Sequence, residues 1–360
     1  MKEILFICPY PFDVAAGQRF KFEPHFSKLE KKGFEVKMNS FMSLQLWDRV
    51  YKRGHITSKI FWTILGLIRR IILIFSLRKY DCVYIFMNVF PFGPPLLEWT
   101  YRLFSRRIIY DLEDNMLSDE PEGGNWIASL FKSKIKYQFL ISTADEVIAS
   151  SPFLVEKCKE ITGKNNVHFI PPTLDLSRFT ERPRKNKEDK KVVVGWTGTV
   201  GSKVFLDELI PTLEKLHDIC PFKLMVIGNF EMSHPFLDLE VLKWSLEEEI
   251  NQLHNFDIGI YPLPLNDWIG GKSGLKALQY MAVGIPPVCS AIGNVLNFIK
   301  NNEDGILINN EEEWLVNLES LIKDQERREN IGKKAREKFL NEFSQDRIFD
   351  HYYSLIESKK

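Results

Sequence analysis

The chain has 360 residues, 44% hydrophobic and 27% charged, with 48 Lys+Arg against 48 Asp+Glu. These values exclude a disordered chain, give no reason to expect a nucleic-acid partner, and suit two domains of ~150 residues. The zero net charge is unevenly divided: residues 1–190 carry 30 Lys+Arg against 22 Asp+Glu, and residues 191–360 carry 18 against 26. A basic half joined to an acidic half points to an anionic surface or ligand facing the first, with unequal solvated surfaces as the plainer alternative. Cys8, Cys82, Cys158, Cys220 and Cys289 form no Cys-x-x-Cys pair and read as reduced thiols of a cytoplasmic protein. Met1-Lys2-Glu3 runs straight into the apolar Ile4–Cys8, which is too short for a signal peptide.

In chain order, the first half alternates short apolar runs with helical patterns. Ile4–Cys8 reads as a buried strand, Phe20–Lys31 as a helix ended by Gly33, and Phe34–Met38 as a second strand. Ile56–Leu77 is nearly as apolar as a spanning helix, but Arg69 and Arg70 near its middle make a bilayer crossing costly. It is either a core helix over the first sheet or an interfacial helix with a basic face on anionic lipid. Further strands are expected at Cys82–Met87, Arg107–Tyr110, Glu146–Ala149 and Val167–Ile170, with helices at Trp126–Leu140 and Pro152–Ile161. Thr180–Lys191 contains nothing that could form a core and reads as a linker. The pattern then restarts, with strands at Val192–Trp196, Lys223–Ile227, Asp257–Tyr261, Pro287–Cys289 and Gly305–Ile308, a helix at Val204–Asp218 and a last helix at Arg347–Ser358. The expected organisation is α/β: a domain over residues 1–179, a linker over 180–191, a second domain over 192–344, and a terminal helix over 345–360 that returns to the first domain.

Three stretches carry candidate chemistry. In Val192–Lys203 a strand runs into Gly198 and Gly201 ahead of a helix, so that backbone N–H groups around Thr197, Gly198, Thr199 and Ser202 form an anion site with Lys203 as a point charge. A glycine-rich turn with no ligand explains the same pattern. In Tyr261–Gly284, Gly271, Lys272 and Ser273 lead a helix on which Lys272, Lys276 and Gln279 would share one face as a second anion site, or as a solvated polar face. In Tyr110–Asn115, Asp111, Glu113 and Asp114 cluster at the carboxyl end of a strand, where open sheets place ligands; capping and strand-end roles are the bland reading. No second metal ligand accompanies these acids and no histidine pair has metal spacing, so no metal is expected. Gly228-Asn229, Trp244 and Tyr261 are minor candidates for a nucleobase.

These stretches resemble the retaining GT-B glycosyltransferases of family 4. Pro9–Phe20, with Gly17, Gln18 and Arg19, is similar to that family's glycine loop, and Ile170–Phe179 to the segment closing its first domain. Val194–Lys203 is similar to its phosphate loop, and Lys272–Ser290 to its donor helix and following strand. The resemblance implies two Rossmann-like doubly wound domains facing across a cleft, closing about the linker. It implies a nucleotide-diphosphate sugar as co-substrate, with UDP or GDP open and no cofactor, and retention at the anomeric carbon. Gly17, Gln18 and Arg19 would then lie beside the sugar, Gly198, Lys203, Lys272 and Lys276 around the diphosphate, and Asp111 and Glu113 near a glycan or lipid-linked acceptor. The family's ribose-binding glutamate is Gln279 here, its earlier glutamate has no counterpart in Gly270-Gly271-Lys272, and the Asn-Gly of its closing segment is Pro172-Thr173. The basic first half suits surface polysaccharide or lipopolysaccharide assembly at the inner face of the plasma membrane. A nucleotide-sugar epimerase and a non-catalytic sugar-nucleotide-binding module are the rival readings.

Overall fold

The structure, a computed structural model, describes residues 2–50, 52, 54–118, 134–183, 191–264 and 269–358. It divides into two compact units, one of Met1–Thr173, Gly271–Ser273 and Ile348–Lys360, the other of Leu174–Gly270 and Gly274–Arg347.

The first unit is built on a six-stranded parallel sheet: β1 (Lys2–Cys8), β2 (Phe34–Ser40), β3 (Cys82–Phe86), β4 (Ile108–Leu112), β5 (Glu146–Ala149) and β6 (Val167–Phe169), in the order β2-β1-β3-β4-β5-β6. Helices cover both faces, so the central strands carry runs of apolar residues, with charges confined to their ends, rather than alternating with polar residues. Ile7, Val83, Ile85 and Tyr110 enter one core with Tyr101, Leu140 and Ile141. Phe6, Tyr84, Ile109 and Ile148 enter the other, which is completed by Ile348, Phe349, Tyr352 and Ile356 of the Gln345–Glu357 helix. Arg107 fixes the end of that helix by donating to the carbonyls of Leu355 (2.6 Å) and Ile356 (3.2 Å).

The second unit repeats the plan: β7 (Val193–Thr197), β8 (Lys223–Ile227), β9 (Asp238–Leu242), β10 (Ile258–Tyr261), β11 (Pro287–Ser290) and β12 (Ile306–Ile308), in the order β12-β11-β10-β7-β8-β9, all parallel. This is the dinucleotide-fold order, with its switch point between β7 and β10; in the first sheet the switch lies between β1 and β3. Ligands of open sheets bind beyond the carboxyl ends of such strands, which singles out the loops after Thr197, Tyr261, Cys8 and Phe86.

Several expectations need correction. The Phe20–Lys31 helix is broken: a short helix covers Ala16–Arg19, a 3-10 turn Glu23–His25, and α-helix resumes only at Phe26–Lys31. Lys21 and Phe22 are drawn fully into the interior, which a continuous amphipathic helix would not allow. The edge strand β9 was not expected, and its alternate acids Asp238 and Glu240 are paired with Lys191 and Lys223. The second unit begins at Leu174, ahead of the expected linker, because Leu174 bridges to Ser344, Phe179 is buried, and Arg182 binds Asp257 at 3.0 Å. Part of that linker, residues 184–190, and part of the expected Trp126–Leu140 helix, residues 126–133, lie outside the described residues.

Ile56–Ile74 is a helix whose two faces divide the alternatives. Its inner side closes on the sheet through Gly66, where a Cβ would stand 2.7 Å from the Phe41 carbonyl, and through the buried Arg70. The Arg70 guanidinium donates to the carbonyls of Cys8 (2.7 Å), Asn39 (2.8 Å) and Val89 (3.1 Å), so the charge is solvated by backbone oxygens. The outer side carries exposed isoleucine and phenylalanine.

Candidate functional site

In the second unit, β7 ends at Thr197 and the chain turns through Gly198 into a 3-10 turn, Val200–Ser202, and the Lys203–Ile219 helix. Gly198 is obligatory: a Cβ there would strike the Trp196 ring and stand 2.7 Å from Ser202 Oγ. Gly228, ending the adjacent β8, would set a Cβ 2.9 Å from the Gly198 carbonyl. Thr199 and Ser202 cap the turn, the Thr199 N–H donating to Ser202 Oγ at 3.0 Å. The Gly198 N–H donates to the Ile227 carbonyl at 3.0 Å, so these two amides are engaged within the loop. We expect Gly198→Ala to cost about 1–3 kcal/mol through overpacking against Trp196. A shift in denaturation free energy within ~0.5 kcal/mol, the range of an ordinary surface change, would contradict this account of the loop.

Lys276 reaches this loop from the Leu275–Ala282 helix. Its Nζ lies 3.3 Å from Ser202 Oγ, 4.5 Å from the Trp196 ring centre and 5.4 Å from that of Tyr261. The two aromatic rings lie at the carboxyl ends of β7 and β10, so this ammonium sits at the switch point against two π-faces. Tyr280 stands beneath: its hydroxyl accepts from the Thr197 N–H (3.3 Å) and donates to the Ile260 carbonyl (3.1 Å). Lys203, by contrast, turns along its own helix to Asp207 at 2.6 Å.

The expected shared face of Lys272, Lys276 and Gln279 is not formed. Gly274 adopts φ +79°, and the helix begins only after it, so Lys272 precedes the helix. Gln279 is buried and its Nε2 lies 3.4 Å from Glu249 Oε1, which also accepts from Trp244 Nε1 at 3.3 Å. A carboxylate from another helix thus stands beside the position where the family has its own glutamate.

In the first unit, Asp111 ends β4 fully buried. Its Oδ1 lies 2.9 Å from Lys21 Nζ, its Oδ2 accepts from the Tyr84 hydroxyl, and Lys21 also donates to the Ile170 carbonyl at 3.0 Å. Burial raises the Asp111 carboxyl above its usual range against the pull of Lys21. Enclosed in this way, Asp111 positions the strand end and does not face solvent. Glu113, two residues on, is half-buried, with its carboxyl pressed against Gly17, where a Cβ would collide with it. Burial first and the neighbouring Asp114 second push Glu113 up to about 8. Asp114 accepts from Lys272 Nζ at 2.9 Å, and a Cβ on Gly271 would stand 2.7 Å from that of Asn115; Gly271–Ser273 pack with this unit, and Ser273 is buried.

Gln18 and Arg19 lie inside rather than open to a ligand. The Gln18 amide accepts from the Tyr10 N–H (2.9 Å) and donates to the Tyr10 carbonyl (3.0 Å) and Glu23 (2.9 Å), pinning the loop after β1. Arg19 is buried over the Phe20 ring, with Nε 3.3 Å from Asp13. Sequence reasoning missed Lys21, Trp196, Tyr280 and Glu249. The glycine after Trp196 and the glycine opposite Tyr280, Gly259, were the signals available for two of them. Among the described residues no group of three or more His, Cys, Asp or Glu could hold a metal ion.

Residues 177–338 match the family described as glycosyl transferases group 1. The chain is 22% identical over 209 residues to the capsular polysaccharide biosynthesis glycosyltransferase CapM of Staphylococcus aureus, a match covering 54% of this chain. It spans about half the length, 53%, of that relative. Among solved structures, sucrose-phosphate synthase from Thermosynechococcus elongatus aligns with a TM-score of 0.72 at 14% identity, over 99% of this chain and 98% of that one. Anabaena Alr3699/HepE, solved in complex with UDP and glucose, aligns with a TM-score of 0.67 at 14% identity over 100% of both chains. At that identity the two structures establish the fold, α/β with two parallel sheets of GT-B type.

Proposed function

We propose that this chain, which belongs to the glycosyl transferases group 1 through residues 177–338, moves a sugar from a nucleotide-diphosphate donor to a glycan or lipid-linked acceptor in surface polysaccharide assembly. The observation that carries this reading is the Lys276 ammonium, held on Trp196 and Tyr261 beside Ser202 at the switch point of the second sheet. When the bond from the anomeric carbon to the diphosphate breaks, negative charge gathers on the departing phosphate oxygen. A fixed ammonium beside the Ser202 hydroxyl stabilises that charge, as a metal does in other enzymes, and we therefore propose a metal-independent transfer. Lys276 and Ser202 are assigned to the diphosphate, Gly198 and Thr199 to shaping the loop that presents Ser202, and Lys203 to an accessory role once it parts from Asp207. Gln279 and Glu249 are assigned to the ribose. Retention at the anomeric carbon rests on the family resemblance. The likeness to a UDP-bound fold makes uridine sugars the first donors to test.

Glu113 is assigned to the acceptor or sugar hydroxyls. With its carboxyl pushed up to about 8, it holds its proton at neutral pH and donates a hydrogen bond. Raising the pH through about 8 removes that proton, so kcat/KM falls on the alkaline side. Glu113→Gln, a permanent donor, is expected to keep activity at pH 7 and flatten the alkaline limb. A wild-type profile level up to about pH 9.5, or an inactive glutamine variant, would remove this assignment.

The overall reading is tested by incubating the chain with radiolabelled UDP- and GDP-sugars, with and without lipid-linked acceptor. Transfer of label only when acceptor is present supports it. Conversion of the sugar without acceptor would indicate an epimerase, and binding without either would indicate a non-catalytic module; both outcomes defeat the proposal.

A further inference from the structure

We propose that the outward face of the Ile56–Ile74 and Leu96–Phe104 helices is a docking surface for an anionic lipid bilayer. The proposal deepens the membrane-linked part of the reading above by naming the surface that meets the lipid, and it does not involve the donor site.

The Ile56–Ile74 helix inverts the usual pattern of a surface helix. Its arginines point inward: Arg70 is buried on backbone carbonyls, and Arg69 donates to the Phe41 carbonyl at 2.9 Å. Its outer side runs from Ile56 through Ile60, Ile64, Ile68 and Ile72 to Phe75, just past its end, with exposures between 44% and 88%. At 100° per residue these six, with their neighbours Phe61 and Ile71, fall within an arc of ~160° that contains no charged residue. The neighbouring Leu96–Phe104 helix adds Leu96, Trp99 and Leu103, each more than half exposed. Scattered exposed apolar side chains need no explanation, but a continuous face across two packed helices marks an interaction surface. The face is rigid: Gly66 and the Arg70 hydrogen bonds hold one helix to the sheet, and the Tyr101 hydroxyl of the other donates to the Arg70 carbonyl at 2.9 Å.

Charge identifies the occupant. Residues 52–107 carry ten Lys+Arg against two Asp+Glu, and although Arg70 and Arg107 are buried and Arg69 turns inward, the remaining cations still outnumber the acids. Of the two acids, Glu98 is buried and Asp81 is paired with Arg106. Arg78 and Lys79, both exposed, directly follow the apolar face, and the Arg78 guanidinium lies 5.7 Å over the Phe104 ring, at the edge of the second helix. An apolar face rimmed by cations fits the boundary between acyl chains and anionic headgroups. A second copy of this chain would bring like cations together across a self-complementary interface. No helix among the described residues is long and apolar enough to cross a membrane, which leaves contact with its surface.

The test is flotation of the full chain with vesicles of phosphatidylcholine, with and without phosphatidylglycerol, in the absence of nucleotide sugar. The wild type is expected to float with the anionic vesicles and to be partly released by salt of about 0.5 M. Ile64→Glu/Ile68→Glu, at exposed positions, is expected to weaken partition about tenfold or more at an unchanged melting temperature. Arg78→Glu/Lys79→Glu is expected to lower binding to the anionic vesicles alone. A wild type left in the bottom fraction with both vesicles, or an isoleucine variant that floats as the wild type does, overturns the proposal. So does a wild-type dimer in vesicle-free buffer that the isoleucine variant converts to monomer. Each result leaves the donor assay unaffected, so the two readings fail separately.

Discussion

Replacing Lys276 by alanine is expected to lower kcat/KM for sugar transfer by about 10²–10³-fold, the loss typical of removing one preorganised group aimed at developing charge. The side chain is suited to that work because its neighbours fix its ammonium at the switch point of the second sheet. Two aromatic faces and one hydroxyl lie against the ammonium. Lys203 turns away along its own helix to Asp207, four residues on, so Lys203→Ala should cost less than Lys276→Ala. The stability of Lys276→Ala should fall by only about 1 kcal/mol, the scale of a partly exposed cation–π contact. The decisive measurement is steady-state kinetics beside a melting curve. Near-wild-type kcat/KM would remove Lys276 from the diphosphate, and with it the observation on which the functional reading rests. Lys276→Arg gives a finer test: the charge is kept, but a planar guanidinium stacks differently on Trp196, so partial activity is expected.

Lys21→Met is expected to destabilise the first unit by about 3–5 kcal/mol near neutral pH, because it leaves a buried carboxylate without its counter-ion. Lys21 and Asp111 are both fully enclosed, 2.9 Å apart. The remaining Tyr84 hydroxyl cannot replace a charge. The sign of the pH dependence follows from Asp111, whose carboxyl is already raised by burial. Without Lys21 it rises further, so the protonated form is favoured in the folded state. The variant is therefore least damaged in acid and loses stability as pH rises through the folded-state value. Lys21→Met/Asp111→Asn removes both charges and should recover much of the loss. Urea denaturation at pH 5 and pH 8 measures both effects. A loss below about 1 kcal/mol at pH 8 would show that the pair is not a desolvated ion pair.

The strands of both sheets were legible because helices cover both faces, and a strand buried on both sides is written as an unbroken apolar run such as Ile4–Cys8. β9 escaped notice for the opposite reason: it is a half-buried edge strand with acids at alternate positions, which reads as a loop. The glycine turns after β7 and β8 were legible as close approaches, since only a missing Cβ fits there. Lys21 was not, because lysine is the residue least expected inside, and its burial is decided by a carboxylate ninety residues away in sequence. Lys272, Lys276 and Gln279 looked like one helical face because spacing alone cannot show that Gly274 takes a left-handed conformation and delays the helix. The Ile56–Leu77 stretch posed a choice that periodicity could not settle, since both of its faces are apolar and only the contacts of Arg70 show which one turns inward.

The first core is sealed by a segment from the far end of the chain. Phe349, Tyr352 and Ile356 lie against strands made more than two hundred residues earlier. During synthesis that face stays bare until the residues between have emerged, on the order of ten seconds or more at ribosomal speed. The second sheet has no such wait, since its strands and the helices over them are contiguous in sequence. The later-made half is thus free to fold first, and the nascent first half, with Phe6, Phe22 and Tyr84 uncovered, is the form on which chaperones would be expected to act.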